Sequence, residues 1–88
     1  MSRYGLPARD EHASCEIAVG WDRQMGTFFA QVSDPGSDVP VLDRGDLFDR
    51  LTTPGQALAL VRDYADVPPD IESTLLRDAR ADGHRTAA

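Results

Sequence analysis

The stretch "AVGWDRQMGTFFAQV", residues 18–32, decides the fold of this chain. Apolar side chains occupy alternate positions on both sides of "DRQMG", which is typical of two half-buried strands joined by a short turn. Gly26 suits the left-handed position that closes such a turn. The hairpin gathers the only tryptophan of the chain and two of its three phenylalanines.

The side chains of this hairpin also predict its register. If residues 23–26 form the loop, Trp21 lies opposite Phe28, and the apolar positions of both strands share one face. Cross-strand pairs of this kind contribute about 0.2–1 kcal/mol each, and a slip of one residue would move every side chain to the other face. On that other face Phe29 lies opposite Gly20, so Phe29 either shields the glycine or stands free as a contact residue.

Two shorter elements follow the hairpin. Residues 39–43, "VPVLD", predict a third strand at the edge of the sheet, because Pro40 cannot donate to a ladder. Residues 44–51, "RGDLFDRL", space their apolar side chains like a single helical turn.

Two helices are predicted after this turn. Thr53, Pro54 and Gln56 match a capping box with proline at the first helical position. The Val-Pro-Pro sequence at 67–69 separates this helix from a second one, which ends at Gly83.

The expected fold is therefore of the α+β class. We expect a three-stranded antiparallel sheet, made of the hairpin and the short edge strand, followed by two helices packed on one face. Eighty-eight residues hold one core. Residues 1–13 are expected to be a flexible arm, residues 14–83 a single α+β domain and residues 84–88 a flexible tail.

The motif "GWDRQMGTFFAQV", with a short strand and a proline-separated helix pair after it, resembles a group of small bacterial proteins of uncharacterised function. These carry a similar Gly-Trp-Asp-Arg hairpin and a Thr-Phe-Phe-Ala-Gln-Val second strand. The resemblance covers residues 15–80 and implies a shared fold, with no activity, ligand or catalytic residue attached to it. It draws attention to Trp21, Asp22 and Arg23 as a set, although Asp22 and Arg23 are also ordinary turn residues.

Charge and cysteine content narrow the function classes. Fifteen acidic side chains against nine basic ones give a net charge of −6, which argues against direct binding to nucleic acid or to an anionic membrane. The single cysteine, Cys15, fits a reducing compartment, and residues 1–14 lack the apolar segment of a signal peptide. We expect a cytoplasmic protein without membrane association.

Candidate catalytic and metal-binding residues are few. His12, Cys15 and His84 are the only histidines and cysteine, and their spacing matches neither a metal motif nor a locked nucleophile pair. The glycines match no phosphate-binding loop. We expect no cofactor and no metal, and we rank an enzyme last among the possible functions.

Two binding hypotheses remain. In the first, the uncovered face of the hairpin binds a protein partner or a second copy of the chain, giving a homodimer. The residues for this contact are Phe29, Gln31, Arg23, Met25 and Ala18. We favour this hypothesis, which describes a small acidic, non-catalytic interaction module.

In the second hypothesis, the helices present an acidic surface that imitates a phosphate backbone. Small acidic inhibitors of phages and plasmids, including some anti-CRISPR and anti-restriction proteins, act in this way, and the likeness here is one of size and charge alone. The residues for this surface are Asp63, Asp66, Asp70, Asp78 and Asp82. Arginines interrupt this acidic run, so a solvated helix face is the simpler alternative.

Overall fold

The computed structural model describes residues 2–83, and these form one antiparallel sheet with two helices. The strands are β1 (Ser2–Leu6), β2 (Glu16–Asp22), β3 (Thr27–Ser33) and β4 (Leu42–Arg44), and the helices are α1 (Pro54–Val61) and α2 (Ile71–Ala81). The strands lie in the order β1-β2-β3-β4. The predicted α+β class is confirmed, but the prediction of three strands is wrong because the sheet has four. The predicted tail, residues 84–88, and with it His84, lies outside the described residues.

The β2–β3 hairpin has the predicted register. Trp21 lies opposite Phe28, and residues 23–26 form the loop. The two rings are tilted by 56° with their centroids 5.0 Å apart, and both side chains are buried. Gly26 takes the left-handed conformation, with φ of 64°, that the turn requires.

The additional strand, β1, comes from the segment that we expected to be a flexible arm. It pairs antiparallel with β2, so that Arg3 lies opposite Gly20. The chain after β1 is also held, because Ala8 forms a bridge with Ala65 and the Arg9 amide donates to the Tyr64 carbonyl oxygen at 2.8 Å. Backbone hydrogen bonds to distant segments therefore order most of this segment.

The two helices cover one side of the sheet, which we call the inner face. α1 begins at the predicted capping box: the Thr53 side chain accepts from the Gln56 amide, and the Gln56 side chain accepts from the Thr53 amide. α1 packs mainly on β3, and α2 packs on β2. The buried core lies between the helices and the inner face and comprises Leu6, Ile17, Val19, Trp21, Phe28, Ala30, Val32, Leu51, Ala57, Leu58, Val61, Ala65, Ile71, Leu75 and Ala79.

Removal of the Trp21 ring should destabilise the domain strongly. Trp21 is 3% exposed and contacts Phe28 in the centre of the core, so Trp21→Ala is expected to cost about 3–5 kcal/mol. Met25→Ala, at an exposed site on the same hairpin, is the matched control and should cost less than about 0.5 kcal/mol. Denaturant unfolding of both variants measures the difference. Equal midpoints for Trp21→Ala and the parent would contradict this account of the core.

Candidate functional site

The outer face of the sheet, on the side away from the helices, was the predicted contact surface. Phe29 lies on this face but is only 7% exposed. Its ring lies over Gly20, where an added Cβ would come within 2.6 Å of the ring. The Arg3 guanidinium lies 5.8 Å from the ring centroid and donates to Gln31 Oε1 at 2.7 Å. Phe29 therefore shields Gly20 and is itself covered by Arg3, so it is not an exposed anchor.

The other residues of the predicted contact surface divide into two groups. Ala18 is buried on the outer face, and Gln31 is half-buried beside it. Arg23 and Met25 are exposed on the hairpin loop. Asp22 accepts hydrogen bonds from the amides of Gln24 and Met25 at 3.0 and 3.2 Å, so its carboxylate stabilises the turn. The structure thus separates the predicted residues instead of joining them into one apolar patch.

The predicted acidic surface is also divided. Asp78 accepts a hydrogen bond from the Tyr4 hydroxyl, and Asp82 accepts one from Trp21 Nε1 at 2.8 Å. These two carboxylates therefore fasten the end of α2 to the sheet. The remaining three, Asp63, Asp66 and Asp70, are exposed.

The Tyr4–Asp78 hydrogen bond gives a testable dependence on pH. Donation to the Asp78 carboxylate, with some desolvation, raises the pKa of Tyr4 above its ordinary value near 10. Because the folded state then holds the phenolic proton more tightly than the unfolded state, the stabilisation is complete below that value and is lost as the pH rises from there through the folded-state pKa. A pH titration followed by phenolate absorbance should contain a step above the ordinary tyrosine range. This step should disappear in Tyr4→Phe and remain in Tyr64→Phe. A high-pH component that survives in Tyr4→Phe would refute this assignment.

The exposed apolar side chains concentrate elsewhere, around β4. Of the five exposed large apolar side chains in residues 2–83, four lie between residues 39 and 48. They are Val39, Val41, Leu47 and Phe48. Phe48 is 95% exposed, which leaves almost the whole ring in water. The apolar spacing of residues 44–51, which predicted a helical turn, gave no sign of this exposed group.

Phe48 lies on a loop that interrupts the pairing with β3 at the edge of the sheet. Arg44, the last residue of β4, lies opposite Ala30, and Leu51 forms the next bridge opposite Phe28. Residues 45–50 leave the ladder between these two pairs, and we call them the Phe48 turn. Hydrogen bonds return the chain to the sheet: Leu51 donates to Thr27 Oγ1 at 2.7 Å, and Phe28 donates to the Leu51 carbonyl oxygen at 3.0 Å.

Hydrogen bonds of side chains in the Phe48 turn, and of Arg44 just before it, stabilise the turn. Arg44 donates two hydrogen bonds to the Asp49 carboxylate, at 2.6 and 3.2 Å, and this contact lowers the pKa of Asp49. The Asp46 carboxylate accepts from the amides of Phe48 and Asp49, both at 2.8 Å. The expected helical turn at residues 44–51 is therefore wrong: the aspartates form side-chain-to-backbone turns in its place.

Gly45 is required where the Phe48 turn leaves β4. Its φ is 97°, and a Cβ at this position would overlap the Phe28 carbonyl oxygen and lie 2.7 Å from the Phe29 Cα. Backbone of β3 therefore occupies the space that a side chain would need. Only glycine allows the chain to approach β3 this closely.

Gly45→Ala should therefore destabilise the protein more than Gly26→Ala, its matched control. Gly26 also has positive φ but has no atom within 4 Å of an added Cβ, so its replacement costs only the backbone strain, about 1–2 kcal/mol. Gly45→Ala adds a clash with backbone and is expected to exceed that cost. Urea unfolding compares the two variants. Equal losses in the free energy of unfolding would show that the Phe48 turn moves away from β3 at no additional cost.

Other parts of the described chain show little that suggests chemistry. An open depression of about 470 Å³ lies where α1 leads into α2, and there Arg9 and Arg62 are balanced by Asp66 and Glu72. The His12 ring packs against Tyr64, with centroids 4.8 Å apart. Within residues 2–83 no group of three or more His, Cys, Asp or Glu side chains is placed to hold a metal ion. In the same residues no helix has the length and apolar character needed to cross a membrane.

Comparison of the chain with family models, with curated proteins and with solved structures finds no match. The resemblance of the hairpin to the group of small bacterial proteins stays a prediction. The geometry around Phe48 is thus the main basis for a functional assignment.

Proposed function

We propose that the protein is a non-catalytic interaction module that binds another protein through the Phe48 turn and β4. The exposure of Phe48, at 95%, is the observation that carries this proposal. Burial of an exposed phenylalanine ring in an interface is favourable, because it removes apolar surface from water. Aromatic side chains are common anchors at protein interfaces. Four exposed apolar side chains within ten residues of sequence offer the apolar contacts that a protein interface uses.

The bracing of the Phe48 turn strengthens this proposal. The Arg44–Asp49 pair and the Asp46 hydrogen bonds hold the backbone on both sides of Phe48 before any partner arrives. Binding through a pre-organised turn loses less conformational entropy than binding through a flexible loop. The sequence suggested Phe29 as the aromatic anchor, and we assign that role to Phe48 instead.

The acidic-inhibitor hypothesis has less support. Asp78 and Asp82 accept hydrogen bonds from Tyr4 and Trp21, which leaves three of the five carboxylates without such a contact to the sheet. Substitution of these three remains useful as a comparison, because charge mimicry depends on them and binding through Phe48 does not.

Affinity capture from the cells that make the protein tests the proposal. The parent chain should retain a specific protein, and so should the triple variant Asp63→Arg, Asp66→Arg, Asp70→Arg. Phe48→Ala should lose at least about 2 kcal/mol of binding, roughly a thirtyfold rise in Kd for the purified partner. The fold should persist in Phe48→Ala, because the ring makes little contact with the core, and unfolding curves check this.

Two controls separate this surface from the other candidates. Arg3→Ala uncovers Phe29 and should leave capture unchanged if the outer face is not the contact. Capture at about 0.5 M salt should weaken but not disappear, because salt screens charge attraction at the edge and leaves the apolar contact of Phe48 in place. Loss of capture in the triple arginine variant, with retention in Phe48→Ala, would replace this proposal with the acidic inhibitor.

A further inference from the structure

The free edge of β4 suggests the mode of binding. β4 is the last strand of the sheet and pairs only with β3 among the described residues, so one of its sides has no strand beside it. An unpaired edge offers backbone N–H and C=O groups to an added strand. The Phe48 turn follows directly after Arg44, the last residue of this edge strand.

The segment around β4 is strongly acidic. Five aspartates and two arginines lie between residues 34 and 50, which gives this segment a formal net charge of −3, half that of the whole chain. The aspartates are Asp34, Asp38, Asp43, Asp46 and Asp49. A strand that docks here with positive charge is attracted, whereas a strand with negative charge is repelled.

The two sides of β4 differ, and the difference predicts a pattern in the added strand. Leu42 packs against the core on the inner face, whereas Asp43 accepts a long hydrogen bond from Gln31, at 3.4 Å, on the outer face. Side chains of an added strand alternate between the same two faces. A cationic side chain beside Asp43, flanked by apolar side chains on the inner face, is complementary to this edge.

We propose that an extended, positively charged segment of the partner protein, with alternating apolar and cationic side chains, adds to β4 as a fifth strand and contacts Phe48 where it passes the end of the edge. This inference rests on the proposed function and specifies its partner. Pairing of β4 with a second copy is disfavoured, because it would bring two segments of net charge −3 together.

A defined peptide tests this inference on the full chain. The probe is a short synthetic peptide of alternating lysine and valine, blocked at both ends, and amide chemical shifts report its binding. Shifts should concentrate at Leu42–Arg44 and around Phe48. A matched peptide of alternating glutamate and valine should bind at least about tenfold more weakly than the lysine–valine peptide, because its charge is opposite. A lysine–valine peptide with methylated backbone amides should also lose at least about tenfold in affinity, because it cannot donate to the edge.

One variant of the protein makes the charge requirement specific. Asp43 is exposed on the edge strand, so Asp43→Lys should leave the fold intact, weaken the lysine peptide about tenfold and improve the glutamate peptide. Asp63→Lys, at an exposed site in the link between α1 and α2, is the matched control and should change neither affinity.

The remaining outcomes overturn the inference. Absence of shifts at about 1 mM lysine peptide would exclude the cationic strand. Equal binding of the methylated peptide would exclude strand addition, and concentration-dependent shifts at β4 without peptide would identify a second copy as the occupant. The proposed function would still hold in each case if Phe48→Ala abolished capture of the natural partner, whereas retention of capture in that variant would refute the function itself.

Discussion

Trp21 packs against Phe28 across the β2–β3 hairpin, and this contact determines which side of each strand faces the helices. With these rings on the inner face, the alternation of the strands places Gly20 and Phe29 on the outer face. β1 then adds to β2 in the matching register, so that Arg3 comes to lie over Phe29. The indole also fixes a helix, since Trp21 Nε1 donates to Asp82 at the end of α2. A single cross-strand pair thus sets the faces of the hairpin, places Phe29 where Arg3 can cover it, and attaches the end of α2.

The parts of the fold that sequence predicts are those with strong local signals. The hairpin follows from alternation and a turn glycine, and the start of α1 follows from Thr53 and Gln56. β1 has no comparable signal, because it is five residues long and carries glycine and charge. The alternation of Tyr4 and Leu6 with polar or small residues was the available clue. Pairing with β2 stabilises β1, and the local alternation of apolar and polar residues does not reveal such long-range contacts.

The exposure of Phe29 and the backbone around Phe48 differ from the sequence interpretation for related reasons. Phe29 looked exposed because its cover, Arg3, belongs to the strand that sequence did not reveal. Phe48 looked helical because apolar residues flank it at helical spacing, yet Gly45 and the Asp46 carboxylate dictate a different backbone. Glycine followed by aspartate is a turn signal that favours this result. The close approach of Gly45 to β3 depends on tertiary structure and had no local sequence signature.

The acidic side chains of this protein serve two physical purposes, which net charge alone does not distinguish. Asp78 and Asp82 lie at the C-terminal end of α2, where the helix dipole disfavours negative charge, and hydrogen bonds from Tyr4 and Trp21 offset that cost. These two acids belong to the fold. The aspartates around β4 have a double role: Asp46 and Asp49 brace the Phe48 turn, and the group places negative charge at an open edge, where like charge opposes the pairing of two copies. In the proposed strand addition, the charge that opposes pairing of two copies at this edge also favours a docking strand of opposite sign, so both effects have one origin.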